Sequence, residues 1–545
     1  MKKIKQLLLS MLIVSSVLCS AGCKKEEEVL MMKDVPDYSN FTDQFDFYGY
    51  HSLHDGIVKT DDVPIVLGPR DEFLSLEQYQ LYKDVGMNIV YPQSVLKIDS
   101  KMDGGREAAW EIAKVEIDKL VSIGLDRVVL YDEDLSWLGL YESDSNENYK
   151  YELMYQEGAR PSESLIGDKP GQYATLDDLD AKVEELLSLY AGYPGVYGVC
   201  LADEPKNLYV QSYGEVYNSI KRVSAKNGWN IYPDFNLNPL NLSRHVYGNF
   251  YPHVEGTGDV DETTGSATFA EAMKRYQQYI ENYLDSMQPD MIQYDDYPLR
   301  NGRLLPTYIP CLQYIAEVAK ERGIEFHMVT QSFDMRTNGT QSTRKLTEAG
   351  ANWLNNMLLG FGVREISYFT YYTRTENRTD GESFYDGGSS FVDVYGRPMQ
   401  TYYVMKDILA ANQRFAPTLF QFDYQKSGIF KTQSPTYYPA HLEYVEVNMA
   451  TYDVLKEVKI DKECAMVNEL YDDEKGLYMY MAMNITDPMY QGSRVYQTIT
   501  LRFDSKYDYA LVYRNGESGI YKLKNSTLQV KGAPGDASFV IPFSK

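Results

Sequence analysis

The sequence predicts a (β/α)₈ barrel followed by a C-terminal all-β sandwich. Three observations predict it. From Phe45 to about Ala411, short apolar or β-branched runs ending in polar residues alternate eight times with helical patterns. The segments between the runs repeat their apolar residues every 3.6 positions, as do Ala113, Ile117, Leu120 and Val121, and again Leu312, Ile315, Ala316 and Ala319. From about Pro417 the helical patterns stop and strict apolar–polar alternation takes over. Parallel strands joined by crossover helices close most simply at eight, so a barrel is expected, with a doubly wound open sheet as the alternative.

The chain begins with a basic MKKIKQ, an apolar LLLSMLIVSSVL and a small-residue SAGC, the layout of a secretory signal over 1–22. Cys23 directly after the small residues resembles the bacterial lipobox, with Ser20 where the usual leucine stands; an ordinary signal peptide is the alternative. The resemblance implies that Cys23 carries a lipid, that 23–44 tethers the folded part, and that the protein is held on the extracytoplasmic side of a membrane. No later stretch is apolar and long enough to span a bilayer.

Removing 1–22 takes Lys2, Lys3 and Lys5 with it and carries the formal net charge from −25 to −28. Such a surface repels phosphate backbones and argues against nucleic acid as a partner. Cys200, Cys311 and Cys464 are odd in number and widely spaced, so they read as buried free thiols rather than a disulfide framework or zinc site.

The barrel is expected over 45–415. Its strands are FDFYGYHS, MNIVYPQS, DRVVLYDED, VYGVCLADEP, WNIYPDFNLNP, DMIQYDDYP, EFHMVTQSF and REISYFTYYT. Gly86, Gly124, Gly228 and Gly323 precede strands, where a left-handed helix cap is needed. The sandwich is expected over 416–545, from VYQTITLRF, YDYALVYRNGE and SGIYKLK, with a tight turn at Asn515-Gly516. Packing against the barrel as a cap is its expected role, ahead of sugar binding.

Barrel chemistry sits at the C-terminal ends of the strands. The residues there are His51, Tyr91 with Gln93, Asp132 with Glu133, Asp203 with Glu204, Asp234 with Asn236, Asp295 with Asp296, Gln331, and Tyr371 with Tyr372. They are acidic, amide-rich and aromatic, which suits sugar hydroxyls and ring faces; no glycine-rich phosphate loop or basic cluster is among them. The long stretches 133–174, with Trp137, and 237–267, with His245 and His253, leave the same end and are expected to shape a cleft.

The order of strand-DEP, YDDYP, an amide-ended strand and ISYFTYY resembles the bacterial glycoside-hydrolase-like barrels, distantly similar to family-A β-galactosidases. The G-x-P-x-x-x-Y pattern in DVYGRPMQTYYVMKDILAANQRFAP is similar too. The resemblance spans the layout of 45–415 and implies a glycosidase with a carbohydrate substrate and no organic cofactor. Glu204, ending strand four, is then the expected proton donor, with Asp203 raising its pKa; the bland alternative is a helix cap. Strand seven ends in Gln331 where a retaining enzyme of that type has its nucleophile, and an amide cannot attack.

Two routes remain. The Asp203–Glu204 pair resembles hexosaminidases that use the substrate's acetamido group, with Tyr294 bonding it. Alternatively, Asp295 or Asp296 activates a water for inversion, if one stands ~6.5–9.5 Å from Glu204. Only one of that adjacent pair can face the pocket. His51, Asp132, Trp137, Asn236, Tyr294, Gln331 and Tyr371 are the expected substrate contacts. A metal is not expected: HExxH and CxxC patterns are absent, and DGESFYDGG lacks full calcium-ligand spacing. A glycan-binding lipoprotein that has lost turnover is the rival, favoured by Gln331; a two-lobed solute receptor would need neither eight repeats nor a sandwich.

Overall fold

Backbone pairing closes the eight expected segments into one barrel. Ladder strands occupy Asp46–Gly49, Val128–Asp132, Val196–Asp203, Tyr232–Asn236, Met291–Asp295, Glu325–Gln331 and Glu365–Phe369. These are the first and the third to eighth strands of the barrel. The second position is an extended segment at 88–91. It joins its neighbours through a parallel bridge, Val90↔Val128, and through Asn88 and Ile89 N–H groups that donate to the Phe47 carbonyl at 3.0 and 3.2 Å. Strands five and six meet at Leu237↔Tyr294, and strand one pairs with strand eight in the register Asp46↔Glu365. A doubly wound sheet would have left two edges; here the order returns to its start.

The structure is a computed structural model that describes residues 34–50, 52–58, 65–91, 94–141, 163–205, 209–237, 269–305, 307–337, 340–341, 343–373, 376–377, 382–384, 390–436 and 447–545. The signal and Cys23 expected from the sequence lie outside these residues. Among the described residues no helix is long and apolar enough to cross a membrane.

Between the strands run amphipathic helices, among them Gly105–Ser122, Leu176–Leu187, Val210–Asn227, Phe269–Met287, Tyr308–Arg322, Glu348–Gly360 and Gln400–Leu419. Two end on left-handed glycines, Gly228 at φ 66° and Gly323 at φ 64°, a conformation a β-carbon disfavours. Gln400–Leu419 runs past the boundary expected at 415, and the first sandwich strand starts at Asp423.

That sandwich has a six-stranded antiparallel sheet in the order Asp423–Lys431, Cys464–Asp472, Leu477–Asn484, Ala537–Phe543, Tyr509–Arg514, Glu517–Lys522. A three-stranded sheet of Leu455–Ile460, Gln497–Phe503 and Thr527–Gly532 covers one face. Along Leu477–Asn484 the period of two splits the side chains. Tyr480 and Ala482 join Val467, Leu501, Phe503 and Val540 in the sandwich core, while Met481 turns to the barrel. Its sulfur comes so close to Gly360 that a β-carbon there would sit 2.3 Å away. Asn515 and Gly516, at φ 52° and 72°, form the tight turn between the last hairpin strands of the larger sheet.

Candidate active site

Strand four carries a bulge. Its register with strand five runs Cys200↔Asp234, then Ala202↔Phe235, then Asp203↔Asn236, so one extra residue is absorbed and Asp203 shares the inward face of Cys200. Glu204 follows with φ 51°, and its N–H donates to the Asn236 carbonyl at 2.9 Å. A left-handed backbone at a residue with a β-carbon costs on the order of 1–2 kcal/mol, so the neighbours hold it there. Asp203 is exposed at the barrel mouth and Glu204 is half-buried.

Asn236, buried at the end of strand five, links two carboxylates. Its amide nitrogen donates to Asp203 Oδ1 at 3.0 Å and to Asp295 Oδ1 at 3.1 Å. Asp295, on strand six, is 1 % exposed. Burial pushes its carboxyl well above the usual carboxylate range, and the charges of Glu204 and Asp203 push the same way. Hydrogen bonds from Tyr297 and Asn236 offset part of this. The three carboxylates therefore interact as one cluster, two of them held by one amide.

Aromatic rings wall the cluster. Tyr297 meets Phe333 edge-on at 5.2 Å and Phe369 at 5.6 Å, and Phe369 lies 5.9 Å from Tyr50. Below them the lumen is filled rather than hollow. Tyr50, Tyr91 and Tyr48 pack in succession, with centroids 4.4 and 4.8 Å apart. Tyr48 donates to Gln293 at 2.7 Å, and Tyr91 to the Cys200 sulfur at 3.0 Å. Asp234, buried beside them, has its carboxyl pushed up to about 7 by burial first and then by Glu365. At the far end His327 sits between Glu325 at 3.0 Å and Glu365 at 3.4 Å. Burial opposes its charge, yet the two carboxylates hold its pKa at about 10.

The structure thus brings together Asp203, Glu204, Asp295 and Asn236 of the expected residues, and corrects several others. Alternation along strand six turns Gln293 and Asp295 inward and Tyr294 and Asp296 outward. Tyr294 is fully buried on the helix side, stacked on Phe326 at 5.9 Å. Asp296 lies there too, raised to about 7 by burial and steadied by Arg300 and by the Tyr297 N–H at 2.8 Å. Neither role in the pocket suits them.

Asp132 is not a sugar contact. It caps the helix Glu133–Gly139 by accepting from Leu135 N at 3.1 Å, accepts Tyr190 at 2.8 Å, and takes a forked pair of 2.7 Å bonds from Arg106. Tyr371 is buried outside the barrel, where its own β-carbon would lie 2.6 Å from one placed on Gly49. Gln331 spends its amide on backbone: it accepts from Leu299 N at 3.1 Å and donates to Phe333 and Arg344 carbonyls at 3.1 and 3.0 Å. It is a loop staple, and only an amide can both accept and donate there.

Trp137 remains on the mouth side of the barrel, 52 % exposed, with its indole N–H on Glu133 at 2.8 Å and Lys101 over its ring at 4.6 Å. His51, Gln93, His245 and His253 lie outside the described residues. Sequence reasoning missed Tyr297. Its signal was the spacing: two residues after Asp295, it falls on the same face. Among the described residues no group of three His, Cys, Asp or Glu is placed to hold a metal.

No protein-family model matches the chain, and no curated protein matches it. Among the solved structures similar to it are glycoside hydrolases. An α-amylase of Anoxybacillus is 10 % identical, covering 92 % of this chain and 98 % of its own, at a TM-score of 0.44. A family 5 glycoside hydrolase of Bacteroides vulgatus is 11 % identical over 92 % of this chain and 89 % of its own, at 0.45. A family 27 β-L-arabinopyranosidase of Geobacillus stearothermophilus is 11 % identical over 93 % and 98 %, at 0.43.

Proposed function

We propose that this protein is a glycoside hydrolase, lipid-anchored through Cys23 and facing the extracytoplasmic side, with Glu204 as proton donor. One observation carries the reading: Asp203 and Asp295 share the Asn236 amide, with the charge of Glu204 acting on Asp295 beside them, at the C-terminal end of a barrel and inside an aromatic wall. Glycoside cleavage needs a carboxyl that keeps its proton beside one that gives it up, and a buried cluster of like charges supplies both.

Glu204 and Asp295 interact electrostatically, and burial together with the charges of Glu204 and Asp203 favours a protonated carboxyl in the cluster. Glu204, the more exposed, delivers a proton to the leaving glycosidic oxygen as the bond to the anomeric carbon breaks. A water attacks that carbon from the opposite face and its proton returns to the carboxylate cluster, which so regains the one it gave, and inversion results. The acetamido route is less well supported, because Tyr294 faces away from the cluster.

The rival, a glycan-binding protein without turnover, drew on Gln331; that amide is fully occupied in holding loops and says nothing about turnover. The test is reducing-sugar release across a broad glycan panel and chromogenic glycosides, N-acetylhexosaminides included, with wild type beside Glu204→Gln. Release that falls by ~100-fold in the variant supports the acid role. Release untouched by it removes Glu204 from the mechanism. Binding without release favours the rival.

A further inference from the structure

The sandwich reaches the catalytic end of the barrel through one ion pair. Asp487 lies in the loop after Leu477–Asn484 and takes a forked bond from Arg344, Nη1 to Oδ1 at 2.6 Å and Nη2 to Oδ2 at 2.9 Å. Both side chains are largely buried, at 13 % and 8 % exposure. Arg344 uses its remaining Nε to hold the Arg300 carbonyl. Its backbone N–H donates to the Leu299 carbonyl at 2.7 Å, and its own carbonyl accepts Gln331 at 3.0 Å. Gln331 in turn accepts from Leu299 N at 3.1 Å.

Everything these bonds hold belongs to one short segment. Leu299–Arg300 pairs with Arg303–Leu304 in a miniature hairpin, and the Leu305 N–H returns to the Pro298 carbonyl at 2.8 Å. Immediately before it stands Tyr297, whose hydroxyl bonds Asp295 and whose ring packs on Phe333 and Phe369. The hairpin is thus gripped from the barrel side by Gln331 and from the sandwich side by Arg344, and the residue it anchors covers the carboxyl of Asp295.

We propose that Asp487 and Arg344 are a positioning pair for the active site: by clamping 298–305 they keep Tyr297 on Asp295, so the sandwich is a working part of the catalytic end and not only a cap. This rests on the hydrolase reading above. A forked, largely buried pair suits the task, since removing one partner strands the other charge and the segment must move to hydrate it. Loosening the clamp admits water to Asp295. Loss of burial lowers its pKa and loss of the Tyr297 bond raises it, so the titration of Asp295 moves when the clamp opens.

The test is a titration of the Asp295 carboxyl in the full chain by ¹³C NMR of labelled aspartate, with its signal assigned by comparison with Asp295→Asn. Asn356→Ala serves as control, because Asn356 also joins barrel to sandwich, through the Gly535 carbonyl at 2.9 Å, but away from the clamp. Asp487→Ala is expected to move the Asp295 midpoint by about one pH unit, Asp487→Glu to restore most of it, and Asn356→Ala to leave it in place. Should Asp487→Ala not fold, Arg344→Lys keeps the charge and loses the fork, and the same shift is expected. With an active substrate, kcat falls ~10-fold while KM stays within about twofold. An unchanged midpoint in the clamp variants, or an equal shift in Asn356→Ala, overturns the positioning role. Wild type inert on every glycan would sink the hydrolase reading and leave this titration as it stands.

Discussion

Asn236 stands 3.1 Å from Asp295 and donates to it from the same nitrogen that serves Asp203 at 3.0 Å. One buried amide therefore sets the spacing of two carboxylates from different strands. Asn236→Ala leaves both without that donor, a cost of about 1–3 kcal/mol in stability. With a glycan substrate, kcat should drop by ~10- to 100-fold. Thermal unfolding and steady-state kinetics on the variant check both.

Glu204 offers a separation of stability from turnover. Its φ of 51° suits glycine better than glutamate. Glu204→Gly should raise stability by about 1 kcal/mol while abolishing glycosidic turnover. A variant that loses stability would show that the backbone there is unstrained.

Stability should decline as pH rises through neutrality. Asp234 and Asp296 are buried with carboxyls pushed up to about 7, and Asp295 is pushed well above the ordinary range. Unfolded, these groups release their protons near pH ~4. Between that value and the folded one the native state binds more protons, so unfolding becomes easier as pH increases. His327 acts in the same direction: its contribution is whole below its unfolded pKa and is lost as pH rises through about 10. The melting temperature should therefore fall from about pH 5 to about pH 8, and Asp234→Asn should flatten that slope.

Gln331→Glu tests whether the end of strand seven can host a nucleophile. A carboxylate cannot donate to the carbonyls of Phe333 and Arg344, and it would place a buried charge against them. The variant should lose about 2–4 kcal/mol of stability and gain no covalent chemistry. Denaturant unfolding and mass spectrometry after incubation with an activated glycoside read the two halves.

Asp132→Ala separates a structural carboxylate from a substrate contact. It strands Arg106, whose forked bonds to Asp132 are both 2.7 Å, and should cost about 3–5 kcal/mol. KM for any substrate should stay unchanged in the fraction that folds.

The eight barrel segments were legible because periods of 2 and 3.6 survive any tertiary detail. Which side chains face the lumen was harder, since a single residue decides it. The bulge at Cys200–Ala202 shifts Asp203 by one face, and no composition signal marks it. At Asp295–Asp296 the sequence offers two equal carboxylates, and only the strand's register assigns one inward. Gln331 and Asp132 misled for another reason: a polar residue at a strand end that binds sugar and one that staples a loop have the same chemistry. Their partners, Leu299 and Arg106, lie 32 and 26 residues away, beyond any local pattern.

The joint between the two halves of the chain has a calorimetric consequence. Helix Gln400–Leu419 is followed within a few residues by the strand Asp423–Lys431, and Met481 and Asn468 of the sandwich both press on Gly360 of the barrel. A chain so connected cannot melt one half while the other keeps its packing. Heating should therefore give one endotherm, with van't Hoff and calorimetric enthalpies in agreement, from a protein larger than most that behave this way.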